Sequence, residues 1–131
     1  MGSLIPDFWA DSVYDIDYEE LKAKGIRYLF FDIDNTIALY SDAEPSDKIC
    51  ELLRLLKEMG FVSAILSNGR SERVARFAKL LDVEFEGSAL KPSKSGFRRL
   101  AGRLKAKCEE IAMIGDQIYA DIHGGNRFGC C

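Results

Sequence analysis

An apolar run from Ile26 to Phe31, broken only by Arg27, stops at two carboxylates one residue apart, Asp32 and Asp34. Tyr28, Leu29, Phe30 and Phe31 offer no polar face, so they read as a strand buried on both sides, as in the middle of a parallel sheet. Asp32 then falls at the carboxyl end of that strand, the edge of an open α/β sheet where ligands bind. Residues i and i+2 of a strand face the same way, so Asp32 and Asp34 meet in one site if the extended geometry runs through Ile33. Two carboxylates that close repel each other unless a cation or a proton lies between them. Taken alone, the stretch reads equally well as a solvated acidic turn.

The remainder of the chain alternates strand and helix signals. Residues 1–25 read as an irregular arm, Leu4 to Tyr14, followed by a short helix packed on the domain. Asp17 and Glu20 make a weak capping box for that helix, which ends near Gly25. Ser46 caps a helix with Ile49, Leu52, Leu53 and Leu56 on one face and Gly60 as its stop. Phe61 to Leu66 is a second strand, ending at the turn signal Ser67-Asn68-Gly69. Ser71 opens a helix with Val74, Phe77, Ala78 and Leu81 inward, and Val83 to Phe85 is a short third strand. Ser93 or Ser95 opens a helix carrying Phe97, Leu100, Ala101 and Leu104. Its other face is basic, with Arg98, Arg99, Arg103, Lys105 and Lys107, and reads as solvated. Ile111 to Ile114 is a fourth strand, and a last helix runs from near Tyr119 to Gly124-Gly125. Strands alternating with helices of this length predict one α/β domain over residues 1–131, a Rossmann-like, doubly wound parallel sheet.

Composition excludes several classes. A chain of 131 residues suits one domain with a real core, and 47% hydrophobic with 30% charged residues is ordinary for a soluble globular protein. A net charge of -3 gives no global attraction to nucleic acid or anionic lipid. No stretch is long and apolar enough to span a bilayer, and no secretory signal is visible, so the expected location is cytoplasmic. The four cysteines show no CxxC pairing and no His at metal spacing, so reduced thiols are expected.

The residues just past the strand ends carry the chemistry. Asp32 and Asp34 come after the first strand, Ser67 and Asn68 after the second, Lys91 after the third, and Asp116 and Asp121 after the fourth. In a doubly wound sheet these positions converge on one edge. Carboxylate oxygens suit a hard cation such as Mg²⁺, which takes one or two carboxylates plus a phosphate and keeps several waters. A lysine and a hydroxyl beside that metal suit a phosphoryl group. Such a set is built for phosphoryl transfer, where positioning and charge stabilisation do most of the catalysis.

The pattern resembles the haloacid dehalogenase (HAD) superfamily of phosphatases. The DxDxT motif is Asp32-Ile33-Asp34-Asn35-Thr36, the second motif is Ser67, the third Lys91, and the fourth Gly115-Asp116 with Asp121. More closely the chain resembles the YqeG family of subclass IIIA, through Pro6-Asp7, Glu20-Leu21-Lys22, Ser67-Asn68, Lys91-Pro92, Gly115-Asp116-Gln117 and Gly124-Gly125-Asn126-Arg127. That family is related to phosphatidylglycerophosphate phosphatases. The resemblance implies Asp32 as nucleophile, Asp34 as general acid and base, and Lys91 as the cation that neutralises charge. It implies Asn35, Ser67 and Asn68 around the phosphate oxygens, with Thr36 holding the loop that aims Asp34. Mg²⁺ would be held by Asp32, the backbone carbonyl of Asp34, and Asp116, with Asp121 behind them orienting Lys91 or a metal-bound water.

Other readings stay open. The fold can serve as a non-catalytic module that binds a phosphate-bearing partner, or as a phosphotransferase to an acceptor other than water. His123 reads as a helix-end residue, because Asp34 already fills the acid role. Arg70 and Arg73 read as surface salt-bridge formers. The segments between Thr36 and Ser46 and between Phe85 and Lys91 are too short for a cap domain, so the site is expected to be open or covered by another subunit. The substrate is then a phosphomonoester on a large or lipid-linked carrier, reached from the membrane surface, with a soluble sugar phosphate or nucleotide as the alternative. The chain stops at Cys131, where the family runs a fifth strand, so an exposed sheet edge is expected, with either a homodimer to cover it or low stability.

Overall fold

A computed structural model of the chain describes residues 8–9, 13–31, 44–67, 71–87, 94–115 and 119–121. In chain order the elements are β1 (Phe8–Trp9), α1 (Tyr18–Ala23), β2 (Tyr28–Phe31), α2 (Asp47–Glu58), β3 (Val62–Ser67), α3 (Ser71–Leu81), β4 (Glu84–Gly87), α4 (Lys94–Leu104), β5 (Ile111–Gly115) and β6 (Tyr119–Asp121). Short 3-10 turns lie at Val13–Asp15 and Cys108–Glu110. The strands form one sheet in the order β1-β6-β5-β2-β3-β4. Its four central members, β5, β2, β3 and β4, are parallel.

Helices cover both faces, as the doubly wound reading expects. Side chains alternate along each strand. Leu29, Phe31, Ile65, Ala112 and Ile114 join the cluster that contains Ile49 and Leu53 of α2 and Val74 and Phe77 of α3. Phe30, Ala64, Leu66 and Ile111 join Phe97, Leu100 and Ala101 of α4. The Phe30 and Phe97 rings meet at 5.2 Å between centroids, a tilted pair that anchors α4 beneath β2. α4 also lies close to the sheet because Gly96 has no side chain. A Cβ there would stand 3.3 Å from Leu66 Cδ1 and 3.4 Å from Glu86 Cγ.

Among the described residues, all four α-helices end in one way. The residue two beyond the last regular turn donates its N–H five residues back: Ile26 to Leu21, Phe61 to Leu56, Val83 to Ala78 and Ala106 to Ala101. This closure needs a left-handed residue just before the donor. Gly25 and Gly60 provide it at φ 91° and 102°, while Asp82 and Lys105 adopt it at φ 59° and 56°. At the other ends, Asp17 accepts from the N–H of Glu20, and Ser46 from that of Ile49. Both caps match the expectation. The Tyr18 hydroxyl donates to the Val13 carbonyl at 2.7 Å and ties the segment before α1 to the core. Burial, with Tyr14 nearby, raises its pKa, so it stays protonated.

Five expectations change. Tyr119–Asp121 is a strand, not the start of a helix: β6 runs antiparallel to β5, with Gly115 opposite Tyr119 and Met113 opposite Asp121. Only residues 116–118 separate the two strands, a hairpin length, and β5 would otherwise leave a row of backbone groups unpaired. The arm is not wholly irregular either, because Phe8 and Trp9 pair with Ala120 and Tyr119. Together β6 and β1 cover the edge of β5 that was expected to be open, so that edge supplies no reason for a homodimer. The basic face of α4 is not simply solvated: Arg99 donates to Glu86 Oε2 at 2.9 Å, Arg103 donates to Glu86 Oε1 at 2.8 Å, and Arg103 also donates to the Phe85 carbonyl. Finally, Cys108 is disulfide-bonded while Cys50 is free, where reduced thiols were expected.

The Glu86 pair of arginine contacts clamps α4 to β4, and the Glu86 side chain is only 14% exposed. Burial pushes its pKa up, but the hydrogen bonds from Arg103 and Arg99 outweigh that and hold it below the ordinary carboxylate value. A depressed folded pKa contributes stability above the unfolded pKa and loses it as pH falls through the folded one. Glu86→Gln should therefore cost about 1 kcal/mol at pH 7, and the gap to the parent should close below about pH 4. Thermal melts of both proteins between pH 3 and pH 7 check this. An equal gap at both ends of that range would rule out the ionic clamp.

Candidate active site

The parallel register brings the carboxyl ends of the central strands together. Phe31 of β2 lies beside Ile65 of β3 and Ile114 of β5. Ser67, the last residue of β3, lies beside Gly87, the last of β4. Gly115 closes β5 one residue beyond the level of Phe31. Each of these ends continues into a stretch that the motif spacing singles out. Asp32 is bonded to Phe31, Asn68 to Ser67 and Asp116 to Gly115, and Lys91 is four residues past Gly87.

Of the expected site residues, two have their backbones described. Ser67 ends β3 at the carboxyl edge, where the second motif was expected. Asp121 lies in β6 opposite Met113, level with Phe30 and so one residue back from that edge. Asp32, Asp34, Asn35, Thr36, Asn68, Lys91 and Asp116 lie outside the described residues, as do Arg70 and His123. Arg73 is described: its guanidinium stands over the Phe77 ring at 5.1 Å, a use as packing that the salt-bridge expectation did not include. Among the described residues no three His, Cys, Asp or Glu side chains are grouped to hold a metal ion.

The topology explains why this edge is suited to a ligand. β2 connects through α2 to β3, while β5 is reached through α4 on the opposite face. The strand order reverses at β2, so the space beyond β2 and β5 is the switch point where open α/β sheets bind ligands. α2, α3 and α4 each begin after a strand ends, so their amino termini lie on the same side. Their N–H groups and partial positive charge favour an anion there.

Comparison with known proteins agrees with this geometry. Residues 5–129 match the family model of the haloacid dehalogenase-like hydrolases. The probable phosphatase YqeG of Bacillus subtilis (strain 168) is 31% identical over 125 residues, covering 95% of this chain and 73% of that protein. Phosphatidylglycerophosphate phosphatase 1 of the Chlamydomonas reinhardtii chloroplast is 26% identical, over 95% of this chain and 50% of its own length. Glyceraldehyde 3-phosphate phosphatase of Pyrococcus furiosus is 33% identical, over 96% of this chain and 58% of its own. Among solved structures, the cobalt-bound deoxy-D-mannose-octulosonate 8-phosphate phosphatase of Haemophilus influenzae superposes with a TM-score of 0.60 at 20% identity, over 72% of this chain and 60% of that one. The chain belongs to the haloacid dehalogenase superfamily of hydrolases and, within it, to the YqeG family of phosphatases. No cap domain is evident among the described residues, and no helix among them is long and apolar enough to cross a membrane.

Proposed function

We propose that the protein hydrolyses phosphomonoesters through an aspartyl phosphate on Asp32, at the carboxyl edge of β2 and β5. The observation that carries this reading is the pairing of Phe31 with Ile114, which sets the strands preceding Asp32 and Asp116 side by side. Adjacent strands are about 4.8 Å apart, so Phe31 and Ile114 bring the chain to neighbouring points just before Asp32 and Asp116 in the sequence. Lys91 also has the reach. β4 stands two strands from β2, roughly 10 Å, and four residues extend at most about 14 Å.

In the reaction, a carboxylate oxygen of Asp32 attacks phosphorus and the ester P–O bond breaks, while Asp34 gives its proton to the departing oxygen. Water then attacks the acyl phosphate, Asp34 takes a proton from it, and inorganic phosphate leaves. Asn35, Ser67 and Asn68 hold the phosphoryl oxygens, and Lys91 balances the charge on them and on Asp32. Thr36 holds the loop that aims Asp34, and Asp121 orients Lys91 from behind. A donor set of Asp32, the Asp34 carbonyl and Asp116 is all oxygen, which fits Mg²⁺. When bound, that ion neutralises phosphoryl charge and polarises the group for attack.

Asp32→Asn should lower kcat on an activated aryl phosphate by at least about a thousandfold. Asp34→Asn should lower it by roughly 10²–10⁴-fold and allow the phosphorylated enzyme to accumulate, visible as a mass increase of the intact protein. Full turnover in Asp32→Asn would remove the nucleophile.

The metal has its own test. Excess EDTA should abolish turnover and Mg²⁺ restore it, whereas Ca²⁺ should inhibit because its larger, looser coordination misplaces the phosphate. Undiminished activity in chelator would contradict the donor set.

For the substrate, we infer a phosphate presented on a large or lipid-linked carrier, as in phosphatidylglycerophosphate, met at the membrane surface. A site without a cap cannot wrap a small metabolite and exclude water unaided, but it can admit a phosphate whose bulk stays outside. The chloroplast relative named for phosphatidylglycerophosphate supports this. The archaeal relative named for glyceraldehyde 3-phosphate supports the alternative, a soluble phosphate. Catalytic efficiency on phosphatidylglycerophosphate in mixed micelles should exceed that on sugar phosphates and nucleotides, and a soluble metabolite preferred by orders of magnitude would end the lipid assignment.

A further inference from the structure

A second concave surface lies at the opposite end of the sheet. Where β3 and β4 begin, a cleft of about 600 Å³ opens between α2 and α3. Its floor is apolar: Leu53, Phe61 and Ala78 line it and are at most 5% exposed. Leu80, which also lines it, remains 51% exposed, one of the large apolar side chains that folding leaves in water. The volume and the apolar lining are those of a small-molecule site.

Ser63 supplies an independent observation. Ser63 lines the cleft, and its hydroxyl, which is buried, is the one buried side-chain oxygen or nitrogen without a hydrogen-bond partner among the described residues. An unpaired buried hydroxyl costs about 1–3 kcal/mol, and it points to a group that completes it. Ser63 precedes Ser67 by four residues, roughly 13 Å along β3, so the cleft is separate from the carboxyl edge.

Charge narrows the class of occupant. Two lysines face the cleft from opposite walls, Lys57 on α2 and Lys79 on α3, and neither has an ion-pair partner among the described residues. Arg54 is taken up by Glu51 and Glu58, and Glu84 by Arg103. Asp82 is left as the opposing charge. The lysines also offset the partial negative charge where α2 and α3 end. That role explains their placement but not the cavity or the unpaired hydroxyl.

We propose that this cleft binds a small amphiphilic carboxylate, its apolar chain on Leu53, Phe61 and Ala78, its head between Lys57 and Lys79 and in reach of Ser63. Decanoate and decanol are the probes, titrated into the intact protein and followed by amide chemical shifts. Decanoate should bind saturably, with shifts confined to the end of α2, the start of β3 and the end of α3. Decanol should bind at least about fivefold more weakly, since it lacks the charge the lysines recognise. Lys57→Met with Lys79→Met should erase that preference, and Ser63→Ala should weaken decanoate several-fold. Both sets of substitutions leave the apolar floor intact. Equal binding of the two probes, shifts scattered over the surface, no saturation, or a dimer in sedimentation that buries the cleft would each overturn the proposal.

Discussion

The double burial of β2 is the constraint on which the rest depends. Leu29, Phe30 and Phe31 are all fully buried, and they divide between the two core clusters. A strand covered on both faces must sit inside a sheet, with helices above and below. β3 and β5 flank it in the same register, with Phe31 beside Ile65 and Ile114. Removing a large side chain from such a strand costs several kcal/mol, roughly 3–5 for a phenylalanine cut to alanine. That rigidity fixes where the chain leaves the core toward Asp32.

The helices are held to this centre by repeated devices. Each ends in the same closing turn and returns directly to an apolar residue at or before the next strand: Ile26, Phe61, Val83 or Ala106. The turn satisfies backbone carbonyls that would otherwise be stranded at the helix ends. Lys105 adopts its left-handed conformation at a cost of roughly 1–2 kcal/mol, which the packing of α4 offsets. The Glu86 contacts with Arg99 and Arg103 add a second tie between α4 and β4.

Legibility in the sequence obeyed physical rules. The parallel strands, α1 and the three long helices could be read because apolar periodicity, caps at Asp17 and Ser46, and stops at Gly25 and Gly60 all agree. The turns at Asp82 and Lys105 could not, since neither residue advertises a positive φ. Tyr119–Asp121 was misread because three residues carry no period, and only the unpaired edge of β5 decides their state. The partners of Arg99 and Arg103 were invisible because Glu86 lies on a strand, thirteen and seventeen residues away. Of the candidate site, Ser67 at the end of β3 was legible from its strand-end position. The Ser63 cleft was not, because a serine inside an apolar strand reads only as tolerated polarity.

The polarity of the α/β arrangement assigns different electrostatics to the two ends of the sheet. At the carboxyl edge, three helices begin, and their free N–H groups favour an anion. In the proposed reaction, the motif carboxylates that follow β2 and β5 in the sequence would bring negative charge to the same edge. Carboxylates and a phosphate repel one another, so the proposed reaction calls for more positive charge than the helix termini carry, and the proposed divalent cation and Lys91 would supply it. At the amino edge the helices end, their carbonyls are already satisfied by the closing turns, and Lys57 and Lys79 meet the residual negative charge. What stays unpaired there, among the described residues, is the buried Ser63 hydroxyl beside an apolar floor. On these two proposals the first end answers to compensated charge and the second to apolar area, so a ligand suited to one has little to gain at the other.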